Sequence, residues 1–246
     1  MSTVQFHNSP SGIKIAFRHL NPVGRTSTIV FLPGYMSDMD GGKATAVRDF
    51  CEGAGFGCLL LDYSGCGQSD GEFAAGSLSL WREEVLSLIA ARGIDNIILA
   101  GSSMGGWLML LIALELGNQL KAMVGIAAAP DFSDWGFTEA QKSVLRGGET
   151  IFEDNPYGPE PTPTHAKFWH DAETHRLLGS DINIDCPVRL LHGQRDAGVP
   201  WETSMELAKR LRSDDIQLTL VKDGDHRLSR DSDINLLINQ VASLLD

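Results

Sequence analysis

The chain has 246 residues, 43% of them apolar and 21% charged, an ordinary globular composition in a length that can bury one sizeable core. With 20 basic against 32 acidic residues, a formal charge of −12, the surface speaks against nucleic acid and anionic membrane as partners.

Ile13-Lys14-Ile15-Ala16-Phe17 alternates apolar and polar residues, the period of a half-buried strand. Val4-Gln5-Phe6 is expected to pair with it across the turn from Asn8 to Gly12 as an antiparallel edge. Thr28 to Leu32 reads as apolar on both faces, hence a central strand, and ends at Pro33-Gly34-Tyr35. A helix is predicted over Gly42 to Ala54 with Ala46, Val47 and Phe50 on its inner face. Gly57 to Asp62 is the next strand, and its loop runs from Tyr63 to Gly71. Ser79 to Arg92 reads as a helix with Trp81, Val85, Leu88 and Ile89 inward. Ile97 to Ala100, the corner Gly101 to Gly106 and the apolar run from Trp107 to Leu114 read as strand, sharp turn and buried helix. Leu120 to Ala127 is another buried strand.

Regular alternation stops between Ala128 and Asp185, where Asp-, Gly- and Pro-rich loops include four prolines from Pro156 to Pro163. Thr138-x-x-Gln141 has the form of a capping box for one short helix, and Lys167 to Leu178 suits a second. An interruption this long between core strands is commonly functional, so a lid over about 129–185 is expected inside a single domain spanning 1–246. A strand over Val188 to Gly193, a helix from Pro200 or Trp201 to Leu211, a strand over Ile216 to Val221 and a helix from Asp231 to Leu244 complete the chain. Pro200 suits the first helical position, where its missing N–H has no partner anyway. The last helix places Ile234, Leu237, Ile238 and Val241 in register with Leu245. The expected fold class is α/β: a mostly parallel twisted sheet of about eight strands, helices on both faces and a lid insertion.

In such a sheet ligands bind beyond the carboxyl ends of the strands. Gly101-Ser102-Ser103-Met104-Gly105 is a G-x-S-x-G corner between strand and helix, the composition of a nucleophile elbow. The serine there is held in a strained backbone conformation, and the small residues around it let strand and helix pack closely. Asp196 lies three residues past the strand ending at Gly193, and His226 just past the strand ending at Val221. Three polar residues at three strand ends, in the order Ser103, Asp196, His226, point to a serine–acid–histidine triad. A neutral hydroxyl is a poor nucleophile, so His226 takes the proton of Ser103 while Asp196 fixes the imidazole tautomer. The backbone N–H groups of Met104 and Tyr35 are the candidate oxyanion donors. Asp223 and Asp225 are nearer to His226 but read as residues of the tight Asp-Gly turn. His192 is expected to be a hydrogen-bonded core histidine. Met36, Trp107 and Trp201 are candidates to line an acyl pocket, although the two tryptophans suit plain packing as well.

Other motifs fail. Gly41-Gly42-Lys43 lacks the first glycine and the final Ser/Thr of a phosphate loop. Gly65-x-Gly67 is followed by Asp70, which would repel a pyrophosphate. His170 and His175 make no zinc motif, and Cys51, Cys58, Cys66 and Cys186 show no C-x-x-C. No cofactor and no metal are therefore expected. The amino terminus lacks a signal-peptide pattern, and no apolar run is long enough to span a membrane, so a cytoplasmic protein with reduced thiols is expected. Oligomeric state has no signature in the sequence.

Over nearly its whole length the chain resembles the α/β-hydrolase superfamily. Several stretches are more specific and are similar to its palmitoyl-protein thioesterase and acyl-glucuronide esterase branch. They are Pro33 to Ser37, Asp62 to Gly71, Gly101 to Leu110, Cys186 to Gly193, Val199-Pro200-Trp201 with Thr203-Ser204-Met205, and Asp225-His226-Arg227. The resemblance implies a serine hydrolase acting through an acyl-enzyme on thioesters or esters, with Ser103, Asp196 and His226 as its triad and a small-molecule or S-acylated substrate. It does not extend to Ala128 to Asp185, nor to a mitochondrial transit segment. A general carboxylesterase is the neighbouring alternative; a C–C hydrolase or peptidase would use the same triad. A non-catalytic hydrolase-fold binding module, the reading from another class, typically loses a triad member, whereas all three candidates are present.

Overall fold

The computed structural model describes residues 3–155 and 158–245. Met1, Ser2, Pro156, Tyr157 and Asp246 lie outside the described residues. The elements in chain order are β1 (Gln5–Asn8), β2 (Lys14–Leu20), β3 (Thr28–Leu32), α1 (Gly42–Ala54), β4 (Gly57–Leu61), α2 (Leu78–Arg92), β5 (Ile97–Ser102), α3 (Met104–Leu116) and β6 (Leu120–Ile126). After these come α4 (Phe132–Trp135), α5 (Glu139–Arg146), β7 (Ile151–Glu153), β8 (Thr162–Thr164) and α6 (Ala166–Glu173). The chain finishes with β9 (Val188–Gly193), α7 (Glu202–Arg210), β10 (Ile216–Val221) and α8 (Asp231–Ala242).

Eight strands form one sheet in the order β1-β2-β4-β3-β5-β6-β9-β10. From β4 to β10 the pairings are parallel, and β1 and β2 add the expected antiparallel edge. The residues of β3 alternate between two cores. Val30 and Leu32 pack with α2, α3 and α7 on one face, while Ile29 and Phe31 pack with α1 and α8 on the other. Burying each such side chain contributes about 1.5–3 kcal/mol, so a central strand that is apolar on both faces is the cheapest way to join two helical layers.

Several expected boundaries move by a residue or a turn. The inner face of α1 is Ala44, Val47 and Cys51, with Ala46 and Phe50 only half-buried at its flank. In α2 the Ser77 hydroxyl accepts from the Leu80 N–H, so the helix starts one residue early. Helix α7 begins at Glu202, after Trp201, so Pro200 precedes the helix rather than opening it. The second helix of the insertion ends at Glu173 rather than near Leu178. The Thr138–Gln141 capping box of α5 forms as expected.

The segment between β6 and β9 also contains a two-stranded ribbon, β7 against β8, that the sequence pattern does not suggest. Asp131 joins the two ends of this segment, since its carboxylate accepts from the Leu177 and Leu178 N–H groups at 2.7 and 2.8 Å. Among the described residues no helix is long and apolar enough to cross a membrane.

Candidate active site

At the end of β5 the chain turns into α3 through Ser103, whose φ of 56° and ψ of −121° lie outside the regions open to most residues. The surroundings over-determine this conformation. The Ser103 N–H donates to Ile126 O at 2.9 Å, and its carbonyl accepts from Gly106 and Ala129 at 2.8 and 3.1 Å. A Cβ on Gly105 would stand 2.2 Å from Leu32 O, and one on Gly101 2.4 Å from Gly105 O. Only glycine permits strand and helix to approach this closely.

The structure brings the three predicted residues together. Ser103 Oγ lies 3.1 Å from His226 Nε2, and His226 Nδ1 lies 2.7 Å from Asp196 Oδ2. The loops after β9 and β10 make this possible by bonding to each other: Gln194 N–H donates to Val221 O and Arg195 N–H to Gly224 O, both at 2.9 Å. The Asp196 side chain is fully enclosed. Its Oδ1 accepts from the Gly198 and Val199 N–H groups at 2.9 and 2.8 Å. Burial alone would raise this carboxyl, but hydrogen bonds from His192, His226 and the Val199 backbone outweigh it and hold it well below the usual carboxylate range. Asp196 is thus an anion that can only accept, so Nδ1 of His226 carries a hydrogen and Nε2 accepts from the Ser103 hydroxyl.

The two nearer acids are engaged elsewhere. Asp223 pairs with Arg230 at 2.7 Å, and Asp225 accepts from the Leu228 N–H at 3.0 Å.

Ser103 and His226 open onto a cleft of about 600 Å³ whose walls include Gly34, Tyr35, Met36, Lys43, Thr162 and Arg227. The Tyr35 ring turns away into an aromatic cluster, 4.9 Å from Phe73 and 5.0 Å from Phe168, and its hydroxyl donates to Pro163 O at 3.1 Å. The backbone of Tyr35 is left at the cleft. Neither its N–H nor that of Met104 donates to a protein acceptor among the described residues. Met36 is half exposed at the mouth, with a φ of 56°.

Trp107 is not part of the cleft wall. It is wholly buried on the face of α3 turned toward the insertion, where its Nε1–H donates to His175 O at 3.1 Å. Eleven of the 13 residues of α3 are buried, so its periodicity carries no sign of which side meets a cavity. Trp201 caps α7 and is likewise absent from the residues that line the cleft.

Three contributors escape a sequence reading. Lys43, discarded with a failed phosphate loop, lines the cleft and donates through Nζ to Arg227 O, anchoring the loop after His226. Burial, aided by Arg227 and opposed by Asp225 and Asp233, lowers its ammonium to about 8. Asn155 and Thr162, from the loop and strand of the ribbon, line the same cleft. Their only sequence signal is membership of a long irregular insertion.

The profile of the Alpha/beta hydrolase family matches residues 29–233, which include all three triad candidates. The chain belongs to that family. This hydrolase is 38% identical to the human protein "Palmitoyl-protein thioesterase ABHD10, mitochondrial" over 249 residues, covering 100% of this chain and 81% of that protein. The structure of mouse alpha/beta hydrolase domain-containing protein 10 superposes with a TM-score of 0.90 at 38% identity, covering 99% of this chain and 98% of the other. A crystal structure of a protein from Agrobacterium vitis S4 superposes with a TM-score of 0.92 at 34% identity, covering 100% and 99%. The eight-stranded, mostly parallel sheet is the α/β-hydrolase fold, and the chain is a hydrolase enzyme.

Proposed function

We propose that this hydrolase cleaves carboxylic thioester or ester bonds through an acyl-enzyme, in the manner of a palmitoyl-protein thioesterase. Ser103 is the nucleophile, His226 the general base and acid, and Asp196 the acid that orients His226. The observation that carries the reading is the continuous Ser103–His226–Asp196 hydrogen-bond relay opening on a cleft.

As Ser103 Oγ bonds to the acyl carbon, its proton passes to His226 Nε2 and the carbonyl π electrons move onto oxygen. The backbone N–H groups of Tyr35 and Met104 receive that oxyanion; one such donor lowers the barrier by about 2.7–4 kcal/mol. Collapse of the tetrahedral species breaks the C–S or C–O bond, and the leaving thiol or alcohol takes the proton from His226. Water, deprotonated by the same imidazole, then releases the acid and restores Ser103. Met36 contacts the substrate at the mouth. The segment over about 129–185 acts as a lid within a single domain spanning 1–246. The relatives' printed name supports the thioester as substrate and mitochondria as a location; four free thiols suit that compartment or the cytoplasm.

A fluorophosphonate probe should label the wild type and not Ser103→Ala, whose turnover on acyl thioesters should fall by about three orders of magnitude or more. Equal labelling of the two proteins would overturn the assignment. Parallel rates on acyl-thioester, alkyl ester and acyl-glucuronide substrates rank the leaving groups.

A further inference from the structure

Two imidazoles share one oxygen of Asp196. His226 Nδ1 approaches Oδ2 to 2.7 Å, and His192 Nε2 approaches the same atom to 3.2 Å. His192 is the penultimate residue of β9 and is fully buried. Its Nε2 also faces Val199 O at 3.1 Å. Both neighbours are acceptors, so this nitrogen carries a hydrogen. At the other end of the ring, Nδ1 meets Ser204 Oγ on α7 at 2.7 Å. The imidazole is therefore held from both sides. A histidine that filled space alone would have no need to direct its hydrogen at a carboxylate already held by three other hydrogen bonds.

We propose that His192 is a positioning residue for the acyl transfer: its Nε2–H fixes Asp196 Oδ2 and shares that oxygen with His226, which limits how firmly Asp196 holds a proton on His226. The proposal rests on the triad described above. A carboxylate oxygen that receives two N–H bonds presents less negative potential to each donor. Without His192 the bond to His226 strengthens and the imidazolium gains over the free base. The carboxylate also loses one of the four hydrogen bonds that set its plane. The other charged groups around His226 are its neighbours Asp225 and Arg227, with Lys43 on α1 and Asp38 in the loop after β3 lining the same cleft. None of them changes in the variants below.

The test is the titration of the His226 ring by NMR, assigned through the signal lost in His226→Asn, together with the pH profile of kcat/KM. In His192→Leu the pH at which His226 takes its proton should rise by roughly half a unit to one unit, and the acid limb of kcat/KM should move with it. Turnover should fall roughly five- to tenfold, the rate equivalent of one hydrogen bond, with KM nearly constant. His192→Gln, whose amide N–H can reach the same oxygen, should restore most of both. Ser204→Ala frees the far end of the ring and should shift the titration in the same direction by less, which keeps the test intact if His192→Leu does not fold. A titration that stays in place or moves to lower pH in the folded variant overturns the proposal. The ring titration needs no turnover, so an unlabelled, inactive wild type would count against the hydrolase mechanism and leave this measurement standing.

Discussion

Asp196 and His226 meet at 2.7 Å, Oδ2 to Nδ1, although they stand 30 residues apart on two different loops. The carboxylate is enclosed and the imidazole is not, so the pair joins a fixed anion to a ring that can reach the cleft. Asp196→Asn keeps the shape but offers His226 either a donor or an acceptor, and the tautomer is no longer imposed. Turnover should fall by about four orders of magnitude with little change in KM. A loss of less than about tenfold in steady-state kinetics would remove Asp196 from its assigned role.

Gly105→Ala tests the close approach of α3 to the end of β3. The added methyl would meet Leu32 O at 2.2 Å and Pro33 O at 2.4 Å, both backbone atoms just before the Tyr35 loop. Overpacking of this kind costs about 1–3 kcal/mol, and here it displaces a proposed oxyanion donor as well. Denaturant unfolding should show the loss in stability, and kcat should fall more than KM rises. An unchanged kcat would separate the elbow's packing from the oxyanion site.

Trp107→Phe distinguishes a core tryptophan from a cleft wall. The change removes the Nε1–H donated to His175 O and leaves that carbonyl without its partner. The expected cost is about 1–3 kcal/mol of stability, read from the denaturation midpoint. KM values across acyl chain lengths should stay level, because the side chain is wholly buried and does not line the cleft. A selective rise for long chains would return Trp107 to the pocket.

Glu84 ties stability to pH. It is fully buried on α2, where burial raises its carboxyl above the usual range despite the bond from the Ser64 N–H at 3.1 Å. A folded-state value above the unfolded one gives stability that is complete below the unfolded value and is lost as pH rises through the folded one. Glu84→Gln removes that loss, so its melting temperature should gain on the wild type between pH 5 and pH 8, by about 2–4 °C for each kcal/mol. Parallel melting curves at the two pH values would contradict this.

Much of this architecture can be read from residues. Thr28–Leu32, Gly42–Ala54, Val188–Gly193 and Ile216–Val221 match their predicted bounds, because each is bounded by Gly, Pro or a charged turn. Ser103, Asp196 and His226 were legible because a parallel sheet delivers its strand ends to one rim. The β7–β8 ribbon was not: two three-residue strands, one of them Thr162-Pro163-Thr164, are too short to show any period. The orientation of Trp107 escaped for the opposite reason, since a helix apolar on every side has no pattern to read. His192 could be placed in the core from its strand. Its bond to Asp196 depends on how the loop after β9 folds back, which no local pattern records.

The carboxylate of Asp131 holds Leu177 and Leu178 within the segment that supplies Asn155 and Thr162 to the cleft. One side chain therefore ties the chain shortly after β6 ends at Ile126 to a point well before β9 begins at Val188. The 45 residues between Asp131 and Leu177 thus begin and end at one carboxylate. On the mechanism proposed above, acyl preference would then be open to change by exchanging this segment, with Ser103, His226 and Asp196 left in place.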